Sequence, residues 1–217
     1  MQTKTQNTSY SSIIYSIGLG TDQAWDVRML QRYGVAVYGY DPSSKAAASV
    51  QKNPILNDPV NSFPYHFTQE GLDPNEAKII SLKEEEIDHT ILNSNNIATQ
   101  QGNKEAGDNL EYYQVQFHTL LQWMERNHHD HIDVLKLNVK GHEISILEAW
   151  LKDSKIVARL DQLLVAFHGL KDNDNKRRYR AAKIIRLFEK NGFEVYYSSF
   201  DVNTDNGEVS MKRKAGC

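Results

Sequence analysis

Short apolar segments alternate with amphipathic segments along most of the chain. Ser12–Gly18 and Val35–Tyr40 are rich in β-branched and aromatic residues, which is typical of buried strands. Between them, apolar side chains from Asp22 to Gly34 recur at the spacing of one helix face, and the closing glycine suits a helix C-terminus. The chain is therefore predicted to begin with a strand, a helix and a second strand.

The second half repeats this alternation more clearly. The pattern predicts helices at Phe117–Asn127, at Gly141–Leu151 and at Tyr179–Asn191, and strands at Ile132–Val139, Leu163–Phe167, Phe193–Phe200 and Glu208–Lys212. Such alternation predicts an α/β fold with a largely parallel sheet covered by helices on both faces. In sheets of this kind the ligand binds beyond the carboxyl ends of the strands.

The region between the two halves is harder to interpret. Phe63–Phe67 is a weaker strand, because Pro64 fits only the start or the edge of a strand. Residues 79–116 are predicted to form a polar insertion or mobile loop, with short strands at Ile79–Leu82 and Glu111–Gln116. Together with a polar N-terminal tail at 1–10, these segments are expected to belong to a single domain spanning 1–217.

The composition narrows the function classes. With 40% hydrophobic and 24% charged residues, the chain is typical of a globular protein, and its single cysteine excludes a disulfide framework or a cysteine-rich zinc module. A net charge of −3 disfavours nucleic acid as a partner. No apolar run approaches the roughly 20 residues that span a bilayer, and the polar N-terminus lacks a signal-peptide core. We therefore expect a cytoplasmic protein without a membrane partner.

A glycine turn follows the first predicted strand. Gly18 and Gly20 open the next helix, and Asp41 follows the second strand, where a carboxylate can bind the hydroxyls of an adenosine ribose. These features serve NAD enzymes and S-adenosylmethionine (SAM) methyltransferases alike. Gln23 stands where a dinucleotide turn needs a third glycine, and Asp22 would repel a pyrophosphate but attract an ammonium group. The sequence thus favours SAM.

Several ordered segments together resemble the FkbM-like group of SAM-dependent methyltransferases. They are a YSxGxGxD motif beginning at Tyr15, a following Asp-Pro pair, YHFTQEGL (Tyr65–Leu72), IDVLKLNVKGHE (Ile132–Glu143) and QLLVAFH (Gln162–His168). The likeness extends from about Tyr15 to Val209, apart from the polar insertion. It implies the class I methyltransferase fold, a Rossmann-like three-layer sandwich whose mostly parallel seven-stranded sheet ends in an antiparallel edge hairpin. Many members are O-methyltransferases.

The resemblance also implies roles for individual residues. Gly18 and Gly20 would lie under the methionine part of SAM near Asp22, and Asp41 would hold the ribose. The QEGL segment would lie near the adenine, and Asn138 would face the sulfonium and the substrate. The implied cofactor contacts are Ser16, Gly18, Gly20, Asp22, Asp41, Pro42, Gln69, Gly71, Leu72 and Asn138.

The chain departs from the family pattern at three acidic positions. Asn138 and Lys140 replace the acids of a DxEG motif, and Ala166 replaces the glutamate of ExH. Asparagine is no base at neutral pH and lysine repels a cation, so we expect no metal. His168 and Glu143 remain as candidate catalytic groups beside Asn138, although a carboxylate in the first turn of a helix is also explained by the helix dipole. Lys140 is a candidate for binding an anionic substrate group, or a surface lysine.

Two charged clusters have simpler interpretations. The adjacent histidines of His128–His131 do not readily converge on one metal ion. The basic side of the last long helix is a solvated face by default, although it could dock an acidic substrate. It comprises Lys176, Arg177, Arg178, Arg180, Lys183 and Arg186.

The leading hypothesis is a SAM-dependent methyltransferase that methylates an oxygen of a small-molecule or sugar acceptor. On this view His168 deprotonates or orients the nucleophile. The alternative is a methyltransferase fold that has lost catalysis with its acids and acts as a SAM-binding or interaction module. An NAD-dependent oxidoreductase is a weaker third hypothesis.

Overall fold

The computed structural model describes residues 12–57, 64–83, 112–171, 176–201 and 205–216. The expected N-terminal tail at 1–10 and most of the expected polar insertion, residues 84–111, lie outside the described residues. Within the described ranges, no helix has the length and apolar character that crossing a membrane requires.

Within its described residues, the first half contains six strands and two helices. In chain order they are β1 (Ile13–Ile17), α1 (Ala24–Tyr33), β2 (Ala36–Tyr40), α2 (Ser44–Lys52), β3 (Tyr65–Thr68), β4 (Gly71–Leu72), β5 (Lys78–Lys83) and β6 (Tyr112–His118). The second half contains α3 (Leu120–Arg126), β7 (Ile132–Leu137), α4 (Glu143–Trp150), α5 (Ser154–Val157), β8 (Leu160–Phe167), α6 (Lys176–Lys190), β9 (Phe193–Asp201) and β10 (Asn206–Arg213).

Seven strands form one sheet in the order β3-β2-β1-β7-β8-β10-β9. The pairs from β3 through β8 are parallel, and β10 runs antiparallel to both of its neighbours. This confirms the expected fold, a mostly parallel seven-stranded sheet with an antiparallel edge hairpin. The chain order reverses direction between β1 and β7, where a ligand cleft is expected.

Helices cover the sheet through large apolar side chains. Trp123 on α3, Trp150 on α4 and Phe188 on α6 are fully buried in the main core, which also contains most of the apolar residues of β7 and β8. Burial of such side chains is the main contribution to folding. The resulting packing holds the carboxyl ends of β1, β2, β7 and β8 at one edge of the sheet.

Two local expectations about the middle of the chain need revision. The short strands expected near Ile79 and Gln116 are confirmed as β5 and β6, but they form a separate three-stranded sheet with β4 rather than part of a loop. The helix expected from Phe117 is wrong at its start, because Phe117 lies in β6 and the helix begins at Leu120. Thr119 and Gln122 form a capping box that fixes this boundary. The short helices α2 and α5 were not expected.

Candidate active site

A cleft opens where β1, β2, β7 and β8 end. The strand ends and the loops after them supply its walls: Ile17, Gly18, Leu19, Gly20, Tyr40, Asp41, Pro42, Ser43, Glu70, Leu72, Asn138, Val139, Lys140, His142 and His168. Asp41, Asn138 and His168 each stand directly after a strand of the main sheet. The topology therefore brings residues from distant parts of the chain to one place.

The glycine turn after β1 passes very close to the loop after β7. A Cβ atom on Gly18 would lie 2.0 Å from the carbonyl oxygen of Asn138, and the residue adopts a φ of +79°. Its backbone N–H donates a 2.8 Å hydrogen bond to the Tyr40 carbonyl oxygen, which ties the turn to β2. Only glycine meets both the conformational and the steric requirement at this position.

Asp41 joins this turn to the start of α2. Its Oδ2 accepts a 2.8 Å hydrogen bond from the Gly20 N–H, and its Oδ1 accepts from the Ser43 N–H at 2.9 Å and from the Ser43 hydroxyl at 2.7 Å. A carboxylate has about four acceptor positions, so about one is left for a ligand hydroxyl. Asp41 is only 6% exposed and lines the cleft.

Four of the expected cofactor contacts do not line the cleft. Ser16 is fully buried, and Asp22 is exposed and accepts a hydrogen bond from the Ala24 N–H. Gln69 donates to the Pro42 carbonyl oxygen at 3.4 Å, and a Cβ on Gly71 would collide with the ring of Phe117. Gly18, Gly20, Asp41, Pro42, Leu72 and Asn138 do line the cleft.

Glu70 lines the cleft but was not singled out from the sequence. Arg126 binds its carboxylate with two 2.8 Å hydrogen bonds, and the Trp123 indole N–H donates a third at 2.7 Å. Although burial opposes ionisation, the hydrogen bonds from Arg126 and Trp123 hold the pKa of Glu70 below its usual value. Its charge is therefore fixed, and it is not suited to act as a base. Its position within QEGL was the only sequence signal for it.

Two tyrosines beside the cleft remain protonated at neutral pH. The Tyr40 ring lines the cleft and stacks on Trp123 with 3.8 Å between centroids. Burial raises the pKa of Tyr40 and raises the pKa of Tyr15 to about 12. Asn127 donates hydrogen bonds to both hydroxyl oxygens. Neither tyrosine therefore supplies a base, and Tyr40 forms part of the cleft wall.

Glu143 and His168 form a hydrogen-bonded pair at the edge of the cleft. Glu143 Oε1 lies 2.8 Å from His168 Nδ1, and the Glu143 carboxylate also accepts hydrogen bonds from the Val139 N–H at 2.9 Å and from the Gly141 N–H at 3.0 Å. When the carboxylate accepts this bond, Nδ1 is the donor, and in a neutral imidazole Nε2 is then the acceptor. This is the arrangement of a histidine held as a general base.

Lys140 and Asn138 complete the loop after β7. Lys140 lines the cleft with a φ of +46°, an unfavourable conformation that the Glu143 carboxylate supports by binding the amides on either side. The Asn138 N–H donates a 2.9 Å hydrogen bond to the Ile17 carbonyl oxygen. Burial lowers the pKa of neighbouring His142, which also lines the cleft. The loop thus places Asn138, Lys140 and His142 in the wall of the cleft.

The histidine-rich segment after α3 divides between two environments. The ring of His129 packs against Tyr15 and Tyr38. His131 Nε2 instead lies 3.3 Å from an oxygen of Asp133 and 3.2 Å from one of Asp161, at the sheet edge opposite the cleft. In the described part of the chain these three residues could together hold a metal ion, but their exposure is equally that of a surface ion pair.

Comparisons with known proteins identify the family of the chain and solved structures of similar fold. A family model described as "Methyltransferase FkbM domain" matches residues 11–195. The solved METTL16 MTase domain is 10% identical, covers 93% of this chain and 61% of its own, and has a TM-score of 0.52. The fibrillarin pre-rRNA processing protein of Methanococcus jannaschii is 11% identical and has a TM-score of 0.50. The match covers 93% of this chain and 66% of the fibrillarin chain.

The chain spans slightly less than two thirds of the length of each of these two structures. At such identities the similarity establishes the fold. No curated protein sequence matches the chain significantly.

The expectation that nucleic acid is not a partner is wrong. It rested on the net charge of −3 alone. The structural comparison places a pre-rRNA processing protein among the molecules with this fold. A net charge averaged over the whole chain therefore gives no ground for excluding nucleic acid.

Proposed function

Because the chain belongs to the methyltransferase FkbM domain family, we propose that it is a SAM-dependent enzyme that methylates a hydroxyl oxygen of a sugar or small-molecule acceptor. The observation that carries the proposal is the His168–Glu143 pair beside the glycine turn, 2.8 Å between Nδ1 and Oε1. It provides a base at the point where the cofactor and acceptor sites would meet.

The residues of the cleft fit the cofactor. The Gly18–Gly20 turn leaves room for a ligand because a Cβ on Gly20 would meet nothing within 4 Å. The remaining acceptor position of Asp41 suits a ribose hydroxyl, and Leu72 with Pro42 offers apolar surface for an adenine. When bound, SAM supplies an electrophilic methyl group.

The residues of the chain supply positioning and a proton acceptor. Glu143 holds the His168 ring so that Nε2 can accept the proton of an acceptor hydroxyl. Lys140 and Asn138 would bind polar or anionic groups of the acceptor beside it. Positioning reacting groups can supply much of the rate enhancement of a transfer reaction, so the missing family acids are not required for this chemistry.

Replacing Asp41 tests the cofactor assignment. We expect Asp41→Ala to abolish SAM and S-adenosylhomocysteine binding in calorimetric titration, because both the ribose acceptor and the bond to the Gly20 N–H are lost. Asp22→Ala is the matched control, since Asp22 is exposed and does not line the cleft. Micromolar binding by Asp41→Ala, or equal losses in both variants, would remove Asp41 from the cofactor site.

Replacing His168 tests the base. We expect His168→Ala to lower turnover by roughly 100-fold or more and to leave SAM affinity unchanged, because the imidazole acts on the acceptor and not on the cofactor. The control is His131→Ala, whose ring lies at the opposite edge of the sheet. Methyl transfer is measured with radiolabelled SAM. Undiminished turnover in His168→Ala would exclude this role.

A fold without catalysis gives a different result in the same assays. Such a protein would bind SAM but transfer no methyl group to any acceptor, RNA included. Activity that appeared only in the combined variant Asn138→Asp, Lys140→Glu and Ala166→Glu would support this alternative. In that variant the new carboxylate at position 166 would lie opposite Glu208 on β10, so a loss of stability has to be measured alongside.

A further inference from the structure

The outer face of α6 carries a stripe of exposed cationic side chains. Lys176, Tyr179, Lys183, Arg186 and Lys190 succeed one another at intervals of three and four residues, so they share one face of the helix, and all five are exposed. The helix holds seven of the 25 Lys and Arg residues of the chain and one of its 28 acidic residues. Positive charge is therefore concentrated on this element.

The stripe begins beside the cleft. Arg177 Nη2 donates hydrogen bonds to the carbonyl oxygens of Gly141 at 2.6 Å and His168 at 3.2 Å. The first turn of α6 is thus attached to both loops that bear the candidate catalytic groups.

Exposed aromatic rings lie at the end of the stripe that is next to the cleft. Tyr179 is 70% exposed and Phe200 on β9 is 41% exposed. The Arg178 guanidinium lies over the Phe200 ring, 4.6 Å from its centroid. Gly207 pairs with Phe200 on one side and with Phe167 on the other, so Phe200 is level with the end of β8 and about 10 Å from it across two strand spacings.

This combination matches the chemistry of single-stranded RNA. Cationic side chains bind phosphates, and exposed aromatic rings with guanidinium planes stack on unpaired bases. A free sugar phosphate would fill only the cleft, whereas α6 extends for about 22 Å beyond it. An acidic protein surface would account for the cations but not for the exposed rings. Arg180, held by Glu148 through two hydrogen bonds, is not counted in the surface.

We propose that the stripe of α6, together with Arg178 and Phe200, is a docking surface for single-stranded RNA that begins beside the cleft. The inference deepens the proposed function, since RNA carries a sugar hydroxyl on every residue. It rests on that function only for the claim that this hydroxyl is methylated. RNA binding along α6 itself requires neither SAM nor His168.

The test compares two sets of matched charge removals. Binding of a fluorescein-labelled single-stranded RNA of about 20 nucleotides is followed by anisotropy over a range of salt concentrations. The combined variant Lys183→Gln, Arg186→Gln and Lys190→Gln should bind about tenfold or more weakly and reduce the salt slope by about 2. The control, Arg28→Gln, Lys45→Gln and Lys52→Gln, removes equally many exposed cations from α1 and α2 and should bind like the wild type.

A second pair of variants tests the aromatic end. Tyr179→Ala should weaken RNA binding by about fivefold or more, whereas Tyr33→Ala should not, although Tyr33 is also well exposed and also lies beside an arginine. Equal losses in both α6 variants and their controls would overturn the proposal. So would the absence of RNA binding, or binding of poly-glutamate with the same affinity and the same dependence on α6.

Calorimetry with SAM on the same preparations separates this inference from the proposed function. Cofactor binding with no RNA binding overturns the docking surface and leaves methyl transfer to a small acceptor standing. RNA binding along α6 without SAM binding supports the docking surface and overturns the proposed function. Far-UV circular dichroism confirms that each variant is folded before its affinity is compared.

Discussion

Asp26 shows how much a single buried group can influence stability in this protein. It lies in the first turn of α1 with its side chain fully buried, and Lys136 Nζ is 3.9 Å from its Oδ2. Burial raises the pKa of this carboxyl above its usual value of 3.8, and the attraction of Lys136 only partly opposes that rise. Since the cleft does not use Asp26, its effect is on folding.

Replacing Asp26 with asparagine should therefore stabilise the protein at neutral pH. With the folded pKa raised, the unfolded chain ionises first, so wild-type stability falls as pH rises from the unfolded pKa through the folded one. An asparagine side chain cannot ionise and avoids this loss. Urea unfolding should show a gain in the free energy of unfolding of about 1.4 kcal/mol for each unit of pKa shift near pH 7, and little gain near pH 4.

Two results would contradict this account. One is a loss of stability near pH 7, which would mean that the Lys136–Asp26 pair outweighs the burial of the charge. The other is an equal change at both pH values, which would mean that the substitution acts through packing. The profile with pH, more than the value at any one pH, is therefore the decisive measurement.

Individual site residues were predictable from sequence where they directly follow a strand. Asp41, Asn138 and His168 could be located because the carboxyl ends of parallel strands meet at one edge. The contact between Glu143 and His168 could not, since 25 residues separate them in the chain. Asp22 fitted a local charge argument, but its carboxylate turns to the N-terminus of α1 rather than to the cleft.

The turn after β1 can approach the loop after β7 closely because Gly18 has no side chain. At Gly18 a Cβ would lie 2.0 Å from the Asn138 carbonyl oxygen, whereas at Gly20 it would meet nothing within 4 Å, although both residues have positive φ. A substitution at Gly20 would therefore measure the cost of backbone strain alone, whereas one at Gly18 would add the cost of a steric collision. Collision with backbone atoms cannot be relieved by a rotamer change.

Alanine at these two positions should accordingly have unequal effects. Gly20→Ala should lower the free energy of unfolding by about 1 kcal/mol, the usual penalty for a left-handed alanine. Gly18→Ala should cost considerably more and impair SAM binding, since the turn and the loop after β7 must move apart. Thermal unfolding with and without SAM measures both effects, and equal costs in the two variants would contradict the close contact.

Element boundaries followed periodicity except where capping overrode it. Phe117 fits the apolar spacing of the following helix, yet it belongs to β6 because the Thr119–Gln122 capping box starts the helix only after Thr119. That signal was present in the sequence and was outweighed by hydrophobic spacing. α2 has few large apolar residues, so periodicity gave no indication of it.

At the scale of the whole molecule, sequence patterns indicated the layers but not the distribution of charge. Strand–helix alternation predicts a parallel sheet, and the family resemblance supplied its antiparallel hairpin. The net charge of −3 concealed a strongly basic α6 in a chain whose remaining residues are acidic on balance. Whether a face attracts a polyanion depends on local charge, which requires knowing which side chains share a surface.

Two side chains, Arg177 and Glu143, hold the loop after β7 through hydrogen bonds to its main-chain atoms. Arg177 binds the carbonyl oxygens of Gly141 and His168, and Glu143 binds the amides of Val139 and Gly141. Main-chain groups are the same whatever residue occupies a position. Residues other than proline can therefore replace Asn138 without removing these bonds, whereas the φ of +46° at Lys140 disfavours β-branched residues there. Under the proposed function, position 138 is the first to vary in a directed-evolution library for altered acceptor choice.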